Sequence, residues 1–154
     1  MEQIYTHPKR KTKVVFVQLG SPAEPTTKAL RKYLRKFLGD PRVIDINPWL
    51  WKIILNFFVL PFRPKKSAKL YARIWDGKSF PLITNTRDFT NNVREELRKI
   101  DPHGHVEVNH AFLLSPPYVN EVYDSWEDDL KKGVGATKLL VIPMFPQYSE
   151  STIA

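Results

Sequence analysis

A run of polar and hydroxyl side chains near the end of the chain has the residue types of a ligand site. Residues 146–152 read Pro-Gln-Tyr-Ser-Glu-Ser-Thr, and they follow directly on the apolar residues 139–145, which predict a buried strand. Open α/β sheets bind ligands in the crevice outside the carboxyl ends of their parallel strands, where such turns lie. The pattern therefore predicts a binding site at this end of the sheet.

The histidines and serines give no catalytic constellation. His103 and His105 form a pair in a predicted turn, but two imidazoles without a third ligand make a weak metal site, and we expect the pair to be solvated. His110 falls in a predicted strand and is expected to be a satisfied core imidazole. No serine sits in a Gly-x-Ser-x-Gly elbow, and Gly20 is a lone glycine rather than part of a nucleotide-binding fingerprint. The chain has no cysteine, which excludes disulfides and thiolate metal sites.

Strands and helices alternate along the chain. Apolar, β-branched runs predict strands over residues 13–19, 43–46, 106–114 and 138–145. Helical spacing predicts a helix capped by Thr26 or Thr27, an apolar one opened by Asn47 and Pro48, and further helices over residues 65–75, 89–100 and 119–130. This alternation predicts an α/β fold with a four-stranded parallel sheet and helices on both faces. We expect one domain over residues 13–154 behind a basic tail over residues 1–12.

The net charge of +8 is concentrated in the first half of the chain. Residues 1–80 hold 17 Lys and Arg against 5 Asp and Glu, whereas residues 81–154 hold 7 against 11. This half is expected to face something anionic: nucleic acid, acidic lipid or a carboxylated small molecule. No nucleic-acid module pattern is present, and the aromatic residues of the basic helix fall on its core stripe, so we predict no nucleic-acid partner.

The most apolar stretch is residues 49–62, which is too short to span a bilayer and contains Lys52 and Asn56. It is either a core helix or an exposed apolar lip. Because Arg63, Lys65 and Lys66 follow at once, the lip alternative predicts contact with an acidic membrane surface. The amino terminus lacks the apolar region of a secretory signal, so we predict a cytoplasmic protein. The lip alternative adds a peripheral position on the inner face of the membrane.

Several blocks, taken in order, resemble the amino-terminal half of the ferrochelatase family. They are residues 17–22, Val-Gln-Leu-Gly-Ser-Pro; residues 33–43, which contain Asp-Pro-Arg-Val; residues 63–68 with Tyr71 and Trp75; residues 77–82; and the closing Pro-Gln-Tyr-Ser block. The resemblance implies a flavodoxin-like chelatase half-domain. It also implies an enzyme, a lyase of heme biosynthesis, that inserts ferrous iron into protoporphyrin IX or coproporphyrin between two similar halves.

The resemblance also implies substrate-binding residues. A porphyrin is a flat apolar disc with carboxylates at its rim, which calls for apolar walls and a few cations. Leu19 and Phe37 would lie along the wall, Arg63 and Lys66 would meet carboxylates, and Phe145 and Tyr148 would flank the ring. Polar contacts would come from Tyr71, Ser79, Ser149 and Ser151.

The family's base, a His and a Glu, comes later than the serine block, so the resemblance implies no catalytic residue here. It implies no metal site and no cofactor in this chain, with ferrous iron as a substrate of the full-length enzyme. Many relatives have Arg-Tyr after the third strand, whereas this chain has Leu113-Leu114, and Phe80 separates Ser79 from Pro81. We therefore expect an amino-terminal half that is inactive without its carboxy-terminal half. The alternatives are a self-dimerising half-size chelatase and a non-catalytic porphyrin-binding or basic interaction module.

Overall fold

The fold is a small parallel sheet with helices around it, in a computed structural model that describes residues 11–145. Along the chain the elements are β1 (Thr12–Gln18), α1 (Thr27–Leu38), α2 (Pro48–Ile54), a π-helical turn (Leu55–Val59), α3 (Leu60–Tyr71), a 3₁₀ turn (Ala72–Ile74), α4 (Pro81–Ile100), β2 (Val106–Phe112), α5 (Val119–Lys131) and β3 (Lys138–Pro143). No helix in the described range is long and apolar enough to cross a membrane.

The three described strands are parallel and lie in the order β2-β1-β3. On one face of the sheet Val14, Phe16 and Val108 pack against Val93 and Leu97 of α4. On the other face Val15, Val17 and Ala111 pack against Val119 and Val122 of α5. The central strand β1 is apolar on both faces because both faces are covered, which confirms the expectation drawn from its composition.

The fourth predicted strand, over residues 43–46, is wrong: this segment is a turn followed by irregular chain. The backbone N–H of Val43 donates to the carbonyl of Asp40 at 3.0 Å, which bends the chain away from the sheet. Val43 and Ile44 instead pack on a second core that Tyr33, Leu34, Leu38, Leu55 and Leu60 form between α1, α2 and α3. Burial in this helical core takes the place of burial in a sheet.

The apolar segment and the basic segment after it form one run of helix from Pro48 to Tyr71, rather than the two separate helices predicted. Pro64 lies inside α3 and has no N–H for the carbonyl of Leu60. The Nε of Arg31 on α1 donates to that carbonyl at 3.3 Å. Because the lost helical hydrogen bond is replaced from the neighbouring helix, the helix continues through the proline.

The helix ends follow the residues that the sequence singled out. The Thr26 side chain accepts from the N–H of Ala29 at 3.2 Å and opens α1, while the Asn47 side chain accepts from Trp49 and Leu50 ahead of Pro48. Helix α4 begins at Pro81, eight places before the first residue of the predicted helix. Thr86 and Thr90 face the core in the first half of this helix, and their buried hydroxyls donate to carbonyls of the same helix. Because these core positions are polar residues, the spacing of apolar residues did not reveal this part of the helix.

Candidate functional site

A cavity of about 630 Å³ opens beyond the carboxyl ends of the strands, where the sequence placed a ligand site. Backbone hydrogen bonds between neighbouring chain segments continue past the strand ends there. The N–H of Leu114 donates to the carbonyl of Leu19 at 2.9 Å, and the N–H of Met144 donates to that of Val17 at 2.8 Å. The side chain of Gln18 bonds the carbonyl of Met144 at 2.9 Å. These bonds hold the three chain segments that leave the sheet close together around the cavity.

Most of the cavity wall is apolar. Helix α1 forms one side of it and the start of α5 another, with the strand ends as its floor. The apolar lining consists of Val17, Leu19, Phe37, Val43, Leu113, Leu114, Val119, Val141 and Pro143. The polar lining is Lys36, Asp40, Arg42 and Asn120. An apolar pocket of this size with a few polar groups is the usual form of a small-molecule site.

An ion pair closes one side of the cavity. Asp40 accepts from Arg42 through both carboxylate oxygens, with Nε to Oδ1 and Nη2 to Oδ2 each at 3.2 Å, and it also accepts from the Arg42 backbone N–H at 2.9 Å. The Arg42 side chain, followed by its backbone N–H, lowers the pKa of Asp40 below the ordinary value for an aspartate. Asp40 is therefore ionised near neutral pH and a poor base.

A second cation stands at the cavity on α1. The Nζ of Lys36 lies 3.8 Å from the centre of the Tyr118 ring, at the amino-terminal end of α5. At this distance the ammonium is attracted to the electron-rich face of the ring. The contact joins two elements that are far apart in the chain, α1 and the start of α5, and both contribute residues to the cavity wall.

A chain of aromatic rings leads from the cavity along the helical core. Phe37 stacks on Tyr33 with ring centres 6.3 Å apart, Tyr33 lies 6.5 Å from Tyr71, and Tyr71 lies 5.4 Å from Phe80. The hydroxyl of Tyr33 donates to the carbonyl of Gly20 at 3.2 Å. Burial, and then the neighbouring Tyr71, raise the pKa of Tyr33 far above its ordinary value, so it acts as a neutral donor that ties α1 to the end of β1.

The structure brings only some of the predicted site residues together. Leu19 and Phe37 line the cavity. Tyr71 is separated from it by Tyr33, and burial raises the pKa of Tyr71 although Arg63 opposes the shift. Phe145 is half-buried at the end of the described range, and Tyr148, Ser149 and Ser151 lie outside that range.

The other predicted residues lie away from the cavity lining. Arg63 and Lys66 are exposed on α3. Ser79 sits in a turn, where its backbone N–H donates to Oδ1 of Asp76 at 2.6 Å ahead of the buried Phe80. In the described part of the chain, none of these three residues is part of the cavity wall.

Sequence reasoning missed Lys36, Asp40 and Arg42 as cavity residues, and Tyr118 as the ring that Lys36 contacts. Asp40 and Arg42 belong to the Asp-Pro-Arg-Val block, so their motif was visible although their place in the site was not. Lys36 looked like one of many solvated cations on the polar face of α1. Leu113 and Leu114, noted for the loss of an Arg-Tyr pair, do lie in the wall and make it apolar.

The histidines lie outside this cavity, and two expectations about them were wrong. His105 is not merely solvated, because its Nδ1 is 2.8 Å from Oδ1 of Asp101. His110 is not satisfied, because its buried Nδ1 has no hydrogen-bond partner. Burial, and then Arg94 and Arg87, lower the pKa of His110. Within residues 11–145 no group of three or more His, Cys, Asp or Glu side chains could hold a metal ion.

The apolar segment has an exposed side, so the core-helix alternative does not describe all of it. Leu55 and Leu60 are buried in the helical core, and Trp51 donates through its Nε1 to the carbonyl of Leu38 at 2.6 Å. The residues of the exposed side recur about once in each helical turn, singly or as adjacent pairs, along α2, the π-helical turn and α3. We call this set the apolar face: Trp49, Leu50, Ile53, Phe57, Phe58 and Phe62.

The fold and the cavity together define a parallel α/β protein whose largely apolar cavity lies beyond the carboxyl ends of the strands, the usual place of a ligand site in such folds. The family model that matches the chain is that of ferrochelatase, over residues 11–154. The chain belongs to the ferrochelatase family, as its motifs predicted.

Curated relatives agree with this assignment. The chain is 40% identical to a ferrochelatase of Idiomarina loihiensis over 92% of its own length and 37% of that protein, and 43% identical to one of Teredinibacter turnerae with the same coverage. It is 40% identical to a coproporphyrin III ferrochelatase of Streptococcus mutans, of which it covers 43%. The chain thus spans about two fifths of the length of these relatives, which agrees with the expected amino-terminal half.

Proposed function

We propose that this chain forms one wall of the cleft in which a ferrochelatase inserts ferrous iron into a porphyrin. The single observation that carries the proposal is the cavity of about 630 Å³ at the carboxyl edge of the sheet, with its apolar wall and its cations at one side. A porphyrin presents an apolar ring to such a wall and carboxylates to such cations. Leu19 and Phe37, two of the residues inferred from the motifs, belong to that wall.

The reaction needs a base that the described cavity does not supply. Two pyrrole N–H protons must leave as Fe²⁺ enters the ring, and the iron keeps its oxidation state. Asp40 is the acidic residue of the described lining, and its pairing with Arg42 lowers its pKa and weakens it as a base. We therefore propose that the base comes from the part of the enzyme that the matched relatives have in addition, and that this chain binds the porphyrin without converting it.

A porphyrin titration tests this function. We expect the purified chain to quench porphyrin fluorescence saturably, and to form no iron porphyrin when ferrous iron is added without oxygen. Turnover that rises steeply with protein concentration would instead support the self-dimerising half-size chelatase. An absence of both binding and turnover would contradict the proposal. It would favour the remaining alternative, a basic interaction module without a porphyrin site.

We propose that the partner of this chain is the carboxy-terminal half of the enzyme, and that it covers strand β3. Leu140 and Ile142 lie in register with Val14 and Phe16, on the sheet face that α4 covers over β1 and β2. On β3, however, both side chains are exposed, Leu140 by 44%. A strand order that begins 2-1-3 is the start of a doubly wound sheet in which the next strand pairs with strand 3. An uncovered apolar edge of this kind needs a further strand or helix.

Co-expression with the remainder of the Idiomarina loihiensis relative tests the partner. We expect the two polypeptides to purify together and to gain iron-insertion activity. Leu140→Lys should reduce recovery of the complex by about tenfold, since it places a charge in the buried contact. Ile100→Lys is the control, because Ile100 is exposed at the end of α4, away from β3. Equal recovery of the two variants would contradict the proposed contact.

We also propose that the apolar face contacts an acidic lipid surface. Its aromatic residues are exposed, and the cations Lys52, Arg63, Lys65, Lys66 and Lys69 lie on the same run of helix. Rings that enter the headgroup boundary beside cations that meet acidic headgroups are the features of an interfacial helix. The helical core behind the apolar face holds it in place before any lipid is bound.

A further inference from the structure

The two cations of the cavity differ in what already neutralises them. Arg42 makes a bidentate pair with Asp40, so its charge is balanced within the protein. Lys36 makes no ion pair with any residue in the described range 11–145, and its contact there is the face of the Tyr118 ring. The net positive charge of the described lining therefore resides at Lys36.

The ring of Tyr118 holds the ammonium in place without using all of its donors. The Nζ lies 3.8 Å from the ring centre, and a lysine ammonium has three N–H donors, so donors that point away from the ring stay available. The backbone that carries the ring is held at the start of α5, because the backbone N–H of Tyr118 donates to Oε2 of Glu121 at 2.9 Å. An ammonium seated in this way loses less freedom on binding than one on an unsupported side chain.

Much of the wall near Lys36 offers a carboxylate no donor. Leu113, Leu114 and Val119 are apolar, and Asn120 is the one uncharged polar residue of the described lining. We propose that Lys36, seated on Tyr118, binds a carboxylate of the porphyrin and so fixes which edge of the ring lies between α1 and α5. This inference rests on the proposed function, and it assigns a carboxylate to Lys36, a lysine that the motifs did not single out.

Binding of a porphyrin and of its methyl ester separates the two lysines. We expect Lys36→Met to weaken binding of a porphyrin dicarboxylate about tenfold, the loss of one charge-assisted hydrogen bond. Binding of the dimethyl ester should be unchanged, because methionine keeps the length and apolar stem of lysine. The control is Lys32→Met, an exposed position of α1 outside the cavity lining, which should bind like the parent chain. Lys66→Met on α3 tests the competing lysine that the motifs implied, and we expect it to keep its affinity for the dicarboxylate.

Each other result would overturn the inference in a distinguishable way. Full affinity in Lys36→Met would overturn it while the porphyrin site stands, as would a loss found only in Lys66→Met. Equal losses for the acid and the ester would mean that Lys36 packs against the ring instead of binding its carboxylate. If the parent chain binds neither ligand, the proposed function fails together with the inference.

Discussion

Gly20→Ala is expected to lower the free energy of unfolding by about 3 kcal/mol, the sum of backbone strain and overpacking. Gly20 has φ of +93°, a conformation that L side chains rarely adopt. A Cβ at this position would collide with Oγ of Ser115 and approach Cβ of Phe112 to 3.1 Å. The same Oγ accepts from the N–H of Ser21 at 3.3 Å, so relieving the collision would break the turn that leads from β1 to α1.

Gly77→Ala is the matched control for this substitution. Its φ of +94° is almost the same, but a Cβ there would meet no heavy atom within 4 Å. We expect it to cost about 1 kcal/mol, the backbone part alone. Urea unfolding followed by circular dichroism measures both variants. Equal losses would show that the contact with Ser115 does not determine the cost.

Double substitution of Phe57 and Phe62 by Asp is expected to weaken binding to acidic lipid vesicles about a hundredfold. The two rings are 70% and 73% exposed, so removing them costs the fold little. Burying a phenylalanine in an apolar medium contributes about 1.5–3 kcal/mol, and the loss of two such contacts accounts for the change. The new carboxylates would also be repelled by acidic headgroups.

Vesicle sedimentation at low and high salt checks this prediction. Binding of the parent chain should require acidic lipid and should weaken as salt screens the cations of α3. Ile100→Asp, which changes an exposed apolar residue on α4, should bind like the parent chain. If the parent chain does not bind acidic vesicles, or if the double variant binds them as well as the parent chain does, the apolar face does not contact lipid.

Local patterns in the chain predicted most of its helices and strands. The apolar run of β1, the cap at Thr26 and the Asn47-Pro48 start each act through neighbouring backbone groups, which a single sequence contains. The ferrochelatase motifs likewise identified the family, and two of the residues that they singled out, Leu19 and Phe37, line the cavity. Properties of this kind depend on residues within a few positions of one another.

Contacts between distant parts of the chain account for what the sequence alone did not reveal. Residues 43–46 have the composition of a strand, but the turn at Asp40 delivers them to the core between α1 and α2. Pro64 would end an isolated helix, whereas Arg31 supplies the missing donor from α1. No spacing rule connects these partners, because the fold brings them together.

The sequence by itself determined that this is a parallel α/β member of the ferrochelatase family with a basic first half, because composition and local spacing carry that information. Only the tertiary structure decided which cations line the cavity. Lys36 is one of many similar lysines until α1 and α5 place it on Tyr118, whereas Arg63 and Lys66, chosen from the motif, lie on the exposed side of α3. The physical reason is that the electrostatic role of a charge depends on its neighbours in space, and the fold sets those neighbours.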